Sequence, residues 1–178
     1  MPMGNDMKRG YVQVYTGNGK GKTTAALGLS VRAAGAGLRV FIAQFMKMGD
    51  YSEIKALARF SDLISVEQYG VGKFVRGKPS PEDRAAARKG FDRVREIAMS
   101  GQYDVVVLEE GNMAVFFDLI PLEELLELVD AKPENLELVI TGRSAHPRLL
   151  EKADLVTEMK EIKHYYEKGV PARVGIEK

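Results

Sequence analysis

Apolar residues recur along this chain with two periods, and the changes between them mark out its elements. Tyr11–Tyr15 (YVQVY) predicts a first buried strand running straight into a glycine-rich loop. Lys22–Ala34, rich in Ala and Leu, predicts a helix that stops at Gly35 and Gly37. Arg39–Phe45 (RVFIAQF) predicts a second strand, Ser52–Arg59 a helix and Leu63–Gln68 a short strand. Tyr69–Pro79 has several glycines, a proline and no period, as a functional loop would. Ser80-Pro81-Glu82-Asp83 then opens a long helix to about Met99, with Ser as N-cap, Pro in the first turn and acids facing the dipole.

Asp104–Leu108 (DVVVL) is a continuous apolar run, the mark of a central parallel strand. Pro121–Val129 predicts a helix, Leu136–Thr141 a strand, Pro147–Lys152 a short helix and Asp154–Met159 a last strand or edge. Strands separated by helices predict a doubly wound α/β fold, a mostly parallel sheet with helices on both faces. The length of 178 residues fits a single domain, 1–178, with residues 1–10 as a flexible N-terminal arm.

Composition narrows the chemistry. Apolar residues make up 45% and charged residues 29%, ordinary for a globular protein. Basic and acidic residues nearly cancel, 26 against 25, which argues against a dedicated nucleic-acid binder. The absence of Cys removes disulfides, thiolate metal sites and cysteine nucleophiles. No apolar run approaches the roughly 20 residues of a membrane span, and MPMGNDMKRG lacks the core of a secretory signal. The expected location is cytoplasmic, with no membrane partner.

The residues Thr16-Gly17-Asn18-Gly19-Lys20-Gly21-Lys22-Thr23-Thr24 carry the strongest signal. Written as G-x-x-x-x-G-K-S/T, they place Thr16 where a first glycine normally stands, and they add Gly17 and Gly19 inside the loop. Glycines let successive N–H groups turn onto phosphate oxygens without Cβ clashes, and the following helix adds its positive dipole end. Lys22 supplies a point charge and the Thr23 hydroxyl a Mg²⁺ ligand. Glu109 and Glu110 follow DVVVL, at the strand end that faces the ligand crevice of an open parallel sheet. Either carboxylate can hold Mg²⁺ (or Mn²⁺), directly or through water, opposite Thr23.

Other polar residues read more plainly. His146 and His164 fit hydrogen-bonding or surface roles, since a metal site needs more ligands than two histidines. Arg143, after the fifth strand, either contacts phosphate or pairs with an acid. Tyr165 and Tyr166 fit packing, and Phe116 and Phe117 core or dimer contact. Arg84, Arg88, Lys89, Arg93 and Arg95 form the solvated face of an amphipathic helix.

Five stretches in order, Val14–Gly37, Val40–Gly49, Val105–Ala114, Leu138–Pro147 and Ala153–Glu177, resemble the P-loop-type ATP:corrinoid adenosyltransferases that make adenosylcobalamin. The nine-residue loop is specific, and the T-G-R-x-x-H and K-H-x-x-x-x-G segments strengthen the match. The resemblance implies a RecA-like P-loop fold and a homodimer. It implies attack of cobalt(I) of a reduced corrinoid on C5′ of ATP, with triphosphate leaving and ATP lying reversed relative to ordinary P-loop NTPases. By position it puts Gly17, Asn18, Gly19, Lys20, Gly21, Lys22, Thr23 and Thr24 on the triphosphate. Arg32 matches a family arginine on the first helix, and Glu110 or Glu109 its metal carboxylate, with Lys22, Arg32 and Glu110 as the catalytic set. A flavoprotein is the expected reductant.

The chain departs from the family in two places. Where members carry Gly-Phe-x-Trp, it has Lys73-Phe74-Val75-Arg76 and no Trp, which leaves Phe74 as the aromatic for the corrinoid. About ten residues precede the first strand, too few for the N-terminal lid helix of some members. The implied chemistry suits the residues: cobalt(I) is already a strong nucleophile, so positioning and stabilisation of the leaving triphosphate are what a protein must add. The alternatives are a P-loop ATPase or kinase cleaving the β–γ bond, and a non-catalytic ATP- or corrinoid-binding module.

Overall fold

A computed structural model describes residues 7–72 and 77–177. Six strands, β1 (Val12–Thr16), β2 (Val40–Phe45), β3 (Ile64–Tyr69), β4 (Val105–Glu109), β5 (Glu137–Thr141) and β6 (Leu155–Glu158), form one sheet in the order β3-β2-β4-β5-β1-β6. Every strand pairing is parallel, so the sheet is more uniform than the mostly parallel one expected. The helices are α1 (Lys22–Gly35), α2 (Ser52–Leu57), α3 (Pro81–Met99), α4 (Gly111–Phe116), α5 (Leu122–Ala131) and α6 (Pro147–Lys152). Short 3-10 turns follow at Ala58–Phe60 and Tyr165–Lys168.

The strands are apolar on both faces because both faces are covered. On β2, Val40 and Ile42 point into one core with Ala26 and Ala33 of α1 and Leu57 of α2. Their neighbours Phe41, Ala43 and Phe45 point into the other, with Phe91 and Val94 of α3, Leu125 of α5 and Leu149 of α6. The alternation of side chains along a strand thus becomes two hydrophobic layers. Emptying one position of such a layer, as in Phe91→Ala, costs roughly 3–5 kcal/mol.

Local signals hold where they were strong. Helix α3 starts at Pro81 with a full capping box, Ser80 Oγ accepting from Asp83 N and Asp83 Oδ2 accepting from Ser80 N. They fail at α4, a short helix opened by Glu110 in the left-handed region (φ 61°), a start that no capping residue announces. The expected arm 1–10 lies partly outside the described residues. Its last residue is fixed: Gly10 is buried, its N–H donates to Glu134 O at 2.7 Å and its O accepts from Lys132 Nζ.

Two other readings gain detail. Four of the five basic residues of this solvated face of α3 also reach neighbouring elements, Arg88 and Arg95 to Glu124 of α5, Arg93 to Glu67 of β3 and Arg84 to Asp118 O, while Lys89 is exposed. Phe117 packs against the core, whereas Phe116 is 59% exposed. Among the described residues no helix is long and apolar enough to cross a membrane.

Candidate active site

Strand β1 ends at Thr16 and the chain turns through Gly17 (φ 93°) and Gly21 (φ 121°), both conformations that an L side chain would strain. Helix α1 then begins with neither a side-chain cap nor an acid in its first turn. Its free N–H groups and positive dipole end are left for an anion. Lys22, only 8% exposed, folds back and donates from Nζ to Gly17 O and Gly19 O, each at 2.7 Å. Burial pulls the Lys22 pKa down, and the charge of Glu110 opposes that shift. The ammonium has three donors, so one remains for a ligand.

The carboxylates sit at the C-terminal end of β4. With β5 between β1 and β4, the loop-bearing and carboxylate-bearing strands stand about 9–10 Å apart, and the crevice opens over their ends. Thr23, in the first turn of α1, spans that gap: its hydroxyl donates to Glu109 Oε1 at 2.5 Å. Lys47, two residues past β2, donates to the same oxygen at 2.9 Å. Glu109 is completely buried and its Oε2 has no partner among the described residues. Burial lowers the Lys47 pKa, but Glu109, Glu110 and Glu53 outweigh it, so the net shift is upward.

Glu110 differs from its neighbour. Its N–H donates to Thr141 Oγ1 at 3.1 Å, and its carboxyl pKa is raised, by burial first and by Glu109 second, against Lys47, Lys22 and Arg143. A small hard cation such as Mg²⁺ (or Mn²⁺) takes oxygen ligands and keeps several waters. The Thr23 hydroxyl and the unpartnered Glu109 Oε2 fit that requirement. A polar row continues across the sheet. Gln44 stands in register beside Glu109 and accepts from Gln68 Nε2 at 3.0 Å, and Gln68 Oε1 accepts from Gly49 N at 3.1 Å.

The fold thus brings Gly17, Gly19, Gly21, Lys22, Thr23, Glu109 and Glu110 together. Asn18 and Thr24 are exposed beside them, on the loop and in the first turn of α1. Lys20 turns away: its Nζ donates to Tyr165 Oη, Ile176 O and Glu177 Oε1 at 3.1, 3.0 and 2.9 Å, tying the loop to the C-terminal tail. Tyr165 therefore clasps the loop rather than merely packing. Arg32 is not brought in: ten residues beyond Lys22, it lies about 15 Å along the axis of α1, exposed in the last turn. Phe74 lies outside the described residues.

Arg143 is exposed and has no acid partner among the described residues, so of its two readings the ion pair is absent there. His146 and His164 each accept a backbone N–H through Nδ1, from Arg148 and Tyr166. Three sets of contacts escaped the sequence: those of Lys47, of Asn112 and of the tail with the loop. Asn112 Nδ2 donates to Gly142 O at 2.8 Å and to Tyr15 O at 3.4 Å, joining α4 to the ends of β5 and β1. The tail crosses the loop so closely that Gly19 N donates to Met159 O at 2.6 Å. For Lys47 a signal was present, a cation just past a strand end that faces the crevice.

A parallel sheet with a glycine loop between β1 and α1, and a carboxylate on a strand one removed from β1, is an α/β fold of the P-loop NTPase-like class. Comparison with known proteins narrows the class. The family model described as ATP:corrinoid adenosyltransferase BtuR/CobO/CobP matches residues 8–177. The chain is 34% identical over 170 residues to the corrinoid adenosyltransferase of Escherichia coli K12, covering 96% of this chain and 86% of that one. The corrinoid adenosyltransferase CobA of Salmonella typhimurium matches with the same identity and coverage. That of Pseudomonas aeruginosa is 33% identical over 171 residues, covering 96% and 84%. The chain belongs to the ATP:corrinoid adenosyltransferase family. It is an enzyme of the transferase class, with ATP and a corrinoid as its substrates.

Proposed function

We propose that this enzyme transfers the 5′-deoxyadenosyl group of ATP to cobalt(I) of a reduced corrinoid in adenosylcobalamin synthesis. The observation that carries the reading is that the family match spans residues 8–177 and includes the strand-end site where Thr23, next to Lys22, meets Glu109. A cobalt–carbon bond forms at C5′, the C5′–oxygen bond breaks, and triphosphate leaves with the bonding pair while cobalt(I) is oxidised to cobalt(III). No general base is required, because the nucleophile carries no proton.

The loop amides, Lys22 and the dipole of α1 bind the triphosphate and stabilise its growing charge. Mg²⁺, when bound, would be held by Thr23 and Glu109 and would neutralise part of that charge. Glu110 shapes the field beside them. Asn18, Lys20 and Thr24 complete the loop's contacts. For Lys20 that requires exchanging its tail partners for phosphate. Arg32, at the far end of α1, reaches a substrate only if it is that of another copy. Phe74, outside the described residues, is the aromatic that the resemblance assigns to the corrinoid. The enzyme works in the cytoplasm as a homodimer of single-domain subunits, supplied with cobalt(I) by a flavoprotein.

Incubation with ATP, Mg²⁺ and chemically reduced cobalamin tests the reading. The cobalt–carbon product is followed by absorbance and the phosphorus products by NMR. Intact triphosphate in step with adenosylcobalamin is the expected result. Stoichiometric ADP, or turnover without corrinoid, overturns it.

A further inference from the structure

Lys47 is placed with care that its sequence position does not require. The residue before it, Met46, adopts a left-handed conformation (φ 59°), unusual for a residue with a side chain. That turn is held on two sides. Met46 N donates to Tyr69 O at 3.0 Å, and Gly70 lies so close that a Cβ there would be 2.6 Å from Lys47 N. A strained conformation kept by its surroundings is a common feature of functional sites. Here it turns Lys47 back across the strand ends to Glu109.

The pair it forms is expensive. Glu109 is fully buried and the Lys47 side chain is 21% exposed, so both ions lose much of their water. A buried ion pair rarely stabilises a fold more than apolar residues of similar volume. The ammonium is also under-used. It has three N–H donors, and among the described residues Glu109 Oε1 takes one of them; the ring of Tyr51 lies 5.5 Å away. The Thr23 hydroxyl donates to that same oxygen, so the ammonium stands directly beside the hydroxyl that the phosphate loop presents.

We propose that Lys47 is a second triphosphate-binding lysine of this site. Anchored on Glu109 by one donor, it gives the others to oxygens of the triphosphate bound against Lys22 and Thr23. The assignment rests on the proposed function, since it supplies a further charge for the same leaving group. It makes Lys47 a residue that touches substrate, not one that acts only by holding Glu109.

Calorimetry with inorganic triphosphate, run in EDTA and again with Mg²⁺, separates these roles without catalysis. K47M alone leaves Glu109 buried and unpaired and risks unfolding. The decisive comparison is therefore E109Q against E109Q/K47M, in which no carboxylate is left buried and unpaired at position 109, with thermal melts recorded for both. The double variant is expected to bind triphosphate about tenfold more weakly than E109Q in EDTA, the loss of one charge-assisted contact. Affinities within twofold of each other show that Lys47 acts only through Glu109 and overturn the proposal. Failure of the wild-type protein to bind triphosphate at all would instead remove the proposed function on which it rests.

Discussion

Replacing Lys22 by Ala tests the core of the site, and the structure sets the size of the effect. Lys22 Nζ makes two hydrogen bonds of 2.7 Å to Gly17 O and Gly19 O, so the side chain both shapes the loop and offers its third donor to substrate. Losing one charge-assisted contact to triphosphate costs roughly 1.5–3 kcal/mol, a factor of about 10 to 150 in kcat/KM. The loop carbonyls lose their clamp as well. A misplacement of about 1 Å in a reacting geometry can add roughly another 100-fold. Together these give a fall of about 10³- to 10⁴-fold. The fold itself should tolerate the change, because relief of a buried charge offsets much of the lost bonding. Steady-state kinetics of adenosyl transfer across a range of ATP concentrations, with circular dichroism melts, measure both quantities. Activity within threefold of wild type would refute the role given to Lys22.

Other substitutions probe the surroundings. A Cβ on Gly19 would lie 2.7 Å from Met159 O and 2.8 Å from Lys160 C and O, all backbone. Gly19→Ala should therefore push the tail off the loop and weaken ATP binding at least tenfold, read by calorimetry; unchanged affinity counts against close apposition of loop and tail. Gly28 lies inside α1 with nothing within 4 Å of a Cβ. Gly28→Ala should stabilise by about 0.5–1 kcal/mol and raise Tm by roughly 1–4 °C, and a lower Tm contradicts that open space. The Glu177 carboxyl is held below its ordinary value of 4.5 by Arg173 first, then Tyr165 and Lys20. Its folded pKa is depressed, so its contribution to the tail clasp is full above that ordinary value and is lost as pH falls through the depressed one. The Glu177 side-chain carboxyl carbon resonance should stay constant from pH 7 to about 5 and move only in stronger acid. A transition near neutrality would mean that another group governs the clasp.

The sequence alone determined what depends on neighbours along the chain. The apolar run DVVVL has one stable home, a strand covered on both faces, and Val105–Glu109 occupies it with every residue buried. Ser80, Pro81 and Asp83 encode the start of α3 within four positions, and the capping box forms. The glycine loop followed by Lys22 and Thr23 is likewise a local signal, since backbone freedom and a helix N-terminus need no distant partner. Helix α4 was not legible because it is short and begins from a left-handed glutamate without a cap. Tertiary structure decided whatever joins residues far apart. Thr23 and Glu109 meet, and Lys47 joins them, only because β4 lies between β2 and β5, an order set by crossovers and packing of both sheet faces. Lys20 fits any description of a phosphate-loop lysine, yet the tail 156 positions further on supplies the carbonyl of Ile176 that it binds. Arg32 shows the converse. Its helix could be read from the chain, but the helical rise carries it to the end of α1 away from the loop. Backbone propensity acts over a few residues, while the partners of a side chain are chosen by the strand order and register that the whole fold settles.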